Sequence, residues 1–177
     1  KIVRQNLLHS GTFSVVNAKD YPQTAAEFLT NPDWRAWRDS PAKAIVVGTV
    51  AVEGSDVEVE YRLFYTRSKR QREGEIARLP LEQLRGLAHY VSDRVHLKVA
   101  GVDGHVDSQI LFIAEDGSAT SRVKRLALMD QDGHNIRYLS DGGSIVLTPR
   151  FSPDGREITY TEINGGRVRV ILRHLMT

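Results

Sequence analysis

The sequence predicts a mixed α/β amino-terminal domain over residues 1–101, followed by an all-β segment over residues 102–177. Three observations lead there. An apolar run, AIVVGTVAV at Ala44–Val52, is followed across Gly54-Ser55 by a strictly alternating segment, Val57–Tyr65. The stretch from Pro80 to Gly101 then carries Leu84, Ala88, Val91 and Val95 at helical spacing. After Gly104 helical spacing stops, and short apolar runs alternate with D-G and N-G-G turns.

In the first part, Ile2–His9 reads as a helix ended by Ser10-Gly11, since glycine is favoured just past a helix end. Thr12–Val16 is β-branched and aromatic and reads as a short strand. Asn31-Pro32-Asp33 opens a helical turn, with Asp33 as its cap. That turn sets Trp34 and Trp37 on one helical face as core or rim aromatics. The Ala44–Val52 run suits a strand buried on both faces or central in a sheet. Val57, Val59, Tyr61 and Leu63 face one way, and Glu58, Glu60 and Arg62 the other, so the two runs form a hairpin. Glu75–Leu79 reads as a third strand. Pro80 opens the long helix and Gly101 closes it. The expected architecture is a βαβ-type layer with helices on one side of a small sheet.

In the second part, strands are read at Gln109–Ala114, Arg122–Met129, His134–Leu139, Glu157–Glu162 and Arg167–Leu175. Turns are read at Asp116-Gly117, Asp132-Gly133 and Asn164-Gly165-Gly166, with a break at Asp141-Gly142-Gly143. Hairpins at near-regular spacing are the pattern of propeller blades. The segment accommodates the first one to two blades of an incomplete ring.

Composition excludes several functions. The chain has 177 residues, 41% hydrophobic, and a formal net charge of only +2. So small a bias argues for neither nucleic acid nor an anionic membrane as partner. It has no cysteine, which removes zinc fingers, thiol catalysis and disulfides. No apolar run is long enough for a transmembrane helix. The first residues, KIVRQNLLHSG, have neither the apolar core nor the cleavage site of a signal peptide. Without an initiator methionine, the chain is read as starting within a larger sequence or after processing.

Candidate sites are thin. Thr66–Arg78 gathers Arg67, Lys69, Arg70, Arg72 and Arg78, but Glu73 and Glu75 interrupt it, and it reads as a solvated loop joining two strands. Asp130–Asn135 begins like a calcium loop, yet His134, Asn135 and Asp141 stand at the fifth, sixth and twelfth positions. That departs from the ligand, glycine and glutamate which an EF-hand requires. A hairpin turn tipped by Asp132-Gly133 fits better. His89 and His96, seven apart on the helix, lack zinc spacing and read as surface or interdomain histidines. Gly142-Gly143-Ser144-Ile145-Val146 lacks the closing glycine of a nucleophile elbow, and there is no P-loop and no G-x-G-x-x-G. These residues weigh against catalysis, and neither cofactor nor metal is expected.

The residues that narrow the reading are Ser152, Pro153, Asp154 and Gly155, preceded by Phe151 and followed by Ile158-Thr159-Tyr160. Pro153 fixes φ, Asp154 can accept from local backbone and Gly155 permits a positive φ, so SPDG reverses the chain within a blade. With HSGTFSVVN, AIVVGTV, the G-V-D-G linker, QILFIA and LMDQDG in fixed order, the chain resembles the TolB family of the Tol–Pal envelope system.

The resemblance implies a periplasmic, non-enzymatic protein with an α/β domain before a six-bladed propeller. The propeller would bind the lipoprotein Pal, and an extreme amino-terminal segment would bind TolA. Some members serve as entry factors for colicins. The system supports outer-membrane integrity during cell division. Set against the family, the chain is read as truncated at both ends, without the TolA-binding segment, the first strand and most of the ring. No interaction residue is transferred. Alternatives are the propeller portion of a serine-peptidase-like enzyme, or an orphan module binding through Trp34/Trp37 or the basic Thr66–Arg78 segment.

Overall fold

The computed structural model describes residues 1–175. The chain divides into two compact units, residues 1–107 and 108–177.

The first unit holds four helices, α1 (Ile2–His9), α2 (Ala25–Thr30), α3 (Trp34–Asp39) and α4 (Leu84–Ala100). Its strands are β1 (Ala44–Glu53), β2 (Asp56–Tyr65) and β3 (Gln71–Pro80), an antiparallel meander in that order. The β2 alternation holds: Val57, Tyr61 and Leu63 are buried. Thr24 caps α2 in a capping box with Glu27, satisfying orphan donors at both ends of that motif. Asp33 caps α3 through Oδ1, which accepts from Arg35 N and Ala36 N at 3.0 Å each. Gly101 ends α4 with φ +74°, a left-handed cap that glycine adopts without steric cost.

Several sequence expectations change here. β1 is an edge strand, not central, and it is not buried on both faces: only Ile45 and Val47 are buried. Phe28, Trp37, Ile45 and Val47 form one core on that face, with Trp34 and Phe64 packed against them. α4 covers the opposite face, where Glu73, paired across from Leu63, meets Arg94 and Lys98. Helices therefore lie on both faces, and no βαβ crossover exists among the described residues. Thr12–Val16 pairs with no strand among the described residues. Its Phe13 ring instead meets the His96 ring edge-on at 4.7 Å, so the run is used in packing. β3 begins at Gln71, which leaves only 66–70 as connection where a longer solvated loop was expected. Pro80 is the last residue of β3, and a 3₁₀ turn at Leu81–Gln83 precedes α4.

The second unit contains β4 (Gln109–Ser118), β5 (Ser121–Asp130) and β6 (Arg137–Tyr138) in one antiparallel sheet. A second sheet contains β7 (Ile145–Phe151), β8 (Glu157–Asn164) and β9 (Arg167–His174), also antiparallel and in chain order. Leu126 of one sheet and Val146 and Ile158 of the other are essentially fully buried in one cluster, with Leu111, Ile113, Leu139 and Tyr160 around them. Small antiparallel sheets packed face to face through aliphatic side chains are how neighbouring propeller blades meet, although each sheet here has three strands where a complete blade has four.

The Asp116-Gly117 turn is displaced. Both residues belong to β4, and the reversal comes after Ser118, which pairs with Ser121. Gly117 keeps φ +94°, and a Cβ there would lie 2.3 Å from Ser121 O. β5 is central, with Leu126, Ala127 and Leu128 all buried, so the half-exposed reading holds only for its first half. The His134–Leu139 run pairs over two residues only. β7 was not anticipated. Pro149 and the positive φ of Thr148 interrupt its ladder between Leu147 and Arg150, masking the strand pattern. Asn164-Gly165-Gly166 closes the last hairpin, both glycines having positive φ and Asn164 pairing with Arg167.

Candidate interaction surface

The SPDG turn is a self-contained brace between β7 and β8. Ser152 Oγ donates to Asp154 Oδ1 at 2.6 Å and accepts from Glu157 N at 3.0 Å. Ser152 N donates to Glu157 O at 2.9 Å, and Gly155 N to Ser152 O at 3.0 Å. Arg156 N donates to Asp154 Oδ1 at 3.2 Å. The Ser152 hydroxyl, then the Arg156 amide, hold the Asp154 carboxyl below its ordinary range. Pro153 needs no donor here, and Gly155 takes φ +71°. The Ser152 hydroxyl and amide, Asp154 Oδ1 and the Gly155 amide all bond within the turn.

The other sequence candidates resolve as structure. Trp37 is buried, and its Nε1 donates to Gln23 Oε1 at 3.2 Å. Phe28 meets Trp34 and Trp37 edge-on at centroid distances of 5.3 and 5.9 Å, which makes the tryptophan pair an aromatic core. In the basic segment Arg72 lies over the Tyr65 ring at 5.0 Å, and Arg78 pairs with Glu53 at 2.9 Å. Glu73 Oε2 accepts from Arg94 at 2.9 Å and from Lys98 at 3.1 Å. Burial alone would raise the Glu73 carboxyl, but the Lys98 and Arg94 bonds outweigh it and hold the group below its ordinary range. Beside it the buried Tyr61 phenol is pushed up to about 12, first by burial and then by the Glu73 and Glu75 charges.

A surface position for His89 and His96 is overturned: both are buried. Asn6 Nδ2 lies 3.0 Å from His89 Nδ1 and 3.0 Å from Ser92 Oγ, making a polar seam between α1 and α4. No periodicity announces that seam, because Asn and Ser do not register as core residues. The Asp132-Gly133 turn stands as expected. Gly133 N donates to Asp130 O at 2.9 Å, and Asn135 Nδ2 to Asp130 Oδ2 at 2.6 Å.

Among the described residues, apolar side chains are exposed on strand faces in both units. On β9, Val168, Val170 and Leu172 are 67%, 77% and 59% exposed on one face. Through Ile163 that face continues to Ile145 of β7. The opposite face holds Val146 and Ile158 against the other sheet. Sequence alternation R-V-R-V in β9 carried this signal without saying which side was covered. In the first unit, Val46, Val50 and Val52 of β1 are exposed on alternate positions.

Comparison with known proteins agrees with this geometry. The family model described as the TolB amino-terminal domain matches residues 1–72, and the TolB beta propeller domain model matches residues 96–177. The Tol-Pal system protein TolB of Paramagnetospirillum magneticum is 40% identical over 100% of this chain and 40% of its own length. That of Roseobacter denitrificans is 34% identical over 96% of the chain and 39% of its own length. The chain thus spans about two fifths of the curated relatives it matches. The crystal structure of TolB from Acinetobacter baumannii superposes with a TM-score of 0.84 at 22% identity, covering 98% of this chain and 43% of that one. At that identity it speaks for the fold alone. With models for both parts matching in order, and relatives aligned along the whole chain, this chain belongs to the TolB family.

Proposed function

We propose that this chain is the α/β domain and the first blades of a periplasmic, non-enzymatic scaffold of the Tol–Pal system. Its domains divide at residues 101 and 102. The longer protein binds the lipoprotein Pal through its propeller and TolA through a segment amino-terminal to α1, and so maintains the outer membrane during division. One observation supports this above others: the TolB amino-terminal and propeller models match in fixed order along one chain. In the SPDG motif, Ser152 to Gly155, the Ser152 hydroxyl and Asp154 Oδ1 bond within the turn itself, which supports a structural role for them.

A scaffold works by holding rigid strand faces and loops toward a partner, and pre-formed surfaces keep the entropic cost of association low. The test is a pull-down of the native full-length protein with purified Pal and with the TolA carboxy-terminal domain, and periplasmic fractionation of the producing cell. Retention of both partners and periplasmic recovery are expected. Failure to retain Pal, or turnover of a peptide substrate by the purified protein, would overturn the reading.

A further inference from the structure

The turn of the β2–β3 hairpin carries an unbalanced charge. Residues 61–72, YRLFYTRSKRQR, contain no acidic residue. Arg62 pairs with Glu60, which leaves Arg67, Lys69, Arg70 and Arg72. All four are exposed, and none forms an ion pair among the described residues. Glu73, the next acid along the chain, already accepts from Arg94 and Lys98. The whole-chain balance of +2 hides this local excess. The turn is anchored at its base. Thr66 is buried, its N donating to Lys43 O at 3.1 Å and its Oγ1 to Ala42 O at 2.9 Å. These bonds bring the exposed Lys43 beside the turn as a further cation. Lys69 N donates to Tyr65 O at 2.9 Å, closing the turn, and Lys69 takes a left-handed φ of +57°.

We propose that this turn docks on the anionic headgroups of a phospholipid bilayer. The chemistry of the turn selects among anionic partners. Residues 66–72, TRSKRQR, have no apolar side chain, so a protein partner finds no anchor for the dry centre of an interface. Single-stranded nucleic acid needs aromatic faces on which its bases stack. Tyr65, the adjacent aromatic, lies under Arg72 and donates its hydroxyl to Lys98 O. A bilayer surface needs neither feature. Its headgroups move laterally to meet each cation, and each basic residue held at such a surface strengthens binding about fivefold. Four cations give a dissociation constant on the order of 1 mM lipid at low salt. The contact is adsorption without insertion, reversible and screened by salt. This inference goes beyond the scaffold reading and does not rest on it.

The test is co-sedimentation of the native full-length protein with vesicles of equal parts phosphatidylglycerol and phosphatidylcholine at low salt, beside vesicles of phosphatidylcholine alone. Sedimentation with the anionic vesicles only is expected, with release at about 0.5 M salt. The double variant Arg67→Gln/Arg70→Gln binds about thirtyfold more weakly, with an unchanged thermal unfolding profile. Lys69→Asn, whose asparagine tolerates the left-handed backbone there, weakens binding about fivefold on its own. Arg4→Gln/Lys19→Gln, which removes two exposed cations elsewhere in the first unit, leaves binding unchanged. Inorganic phosphate at matched ionic strength does not displace the protein, because the contact is with an array of anions. Absence of vesicle binding, or equal losses in the two double variants, would overturn the inference. So would displacement by inorganic phosphate at matched ionic strength. Tighter retention by a single-stranded oligonucleotide or by polyglutamate, lost in Arg67→Gln/Arg70→Gln, would assign the turn to that partner instead.

Discussion

Asp93 ties down the segment that a sequence reading treats as a free linker. Its Oδ1 accepts from Val106 N and its Oδ2 from Asp107 N, both at 2.9 Å. Val106 itself is buried. Asp93→Ala leaves the Val106 amide unpaired in a site water reaches poorly, while the exposed Asp107 amide regains water. Hydrogen bonds to a charged acceptor contribute about 1.5–3 kcal/mol, and an orphaned buried donor costs a similar amount, so the loss is about 2 kcal/mol. Asp93→Asn keeps one carbonyl acceptor but turns an amide donor toward a backbone donor, and costs about half as much or more.

Gly104→Ala attacks the same contact from the other side. A Cβ at 104 would lie 1.9 Å from Asp93 Oδ1 and 2.7 Å from Asp93 Cα. Rotating the carboxylate relieves the first clash but not the second, since the second involves backbone. The assay is native-state hydrogen exchange at the Val106 amide. A local loss of about 2 kcal/mol speeds exchange about thirtyfold in Asp93→Ala, with amides in the β2 centre unaffected. Unchanged Val106 protection in Asp93→Ala, or a fully tolerated Gly104→Ala, would refute this account of the clasp.

Three further outcomes follow from the packing. Glu73 has a depressed pKa when folded, so its stabilising effect is complete above the ordinary carboxylate value and is lost as pH falls through the lowered one. The stability advantage of the native chain over Glu73→Gln, measured by urea unfolding, therefore shrinks on acidification below that ordinary value. His96 is buried with both ring nitrogens lacking a hydrogen-bond partner. His96→Leu removes that penalty and raises the melting temperature, with a gain of about 1 kcal/mol or more in urea unfolding. Ile158 sits fully buried between the two sheets of the second unit, so Ile158→Ala costs about 2–5 kcal/mol, read as a lowered urea midpoint.

Periodicity carried the sequence reading where one element face is wet and the other dry. β2 and α4 meet that condition and were legible, as were the Asp33 cap and the Gly165-Gly166 turn, whose chemistry is local. The reading failed where apolar composition does not decide burial. β1 looks central because it is valine-rich, yet Val50 and Val52 are exposed and, among the described residues, it pairs with β2 alone. The same ambiguity runs the other way at Thr12–Val16, a strand-like run whose Phe13 is used against His96. α2, only six residues long, is too short to show a helical stripe, although Thr24 and Glu27 already spelled its capping box.

The candidate surfaces were the least legible part, for a related reason. An exposed strand face has the same alternation as a buried one, so Val168, Val170 and Leu172 read as core until their neighbours are known. What the sequence does hold is the charge placed beside such strands. Three arginines alternate along β9 and none along β1. Because like charges discriminate between registers while apolar side chains do not, the arginines along β9 say more about its pairing register than its valines do.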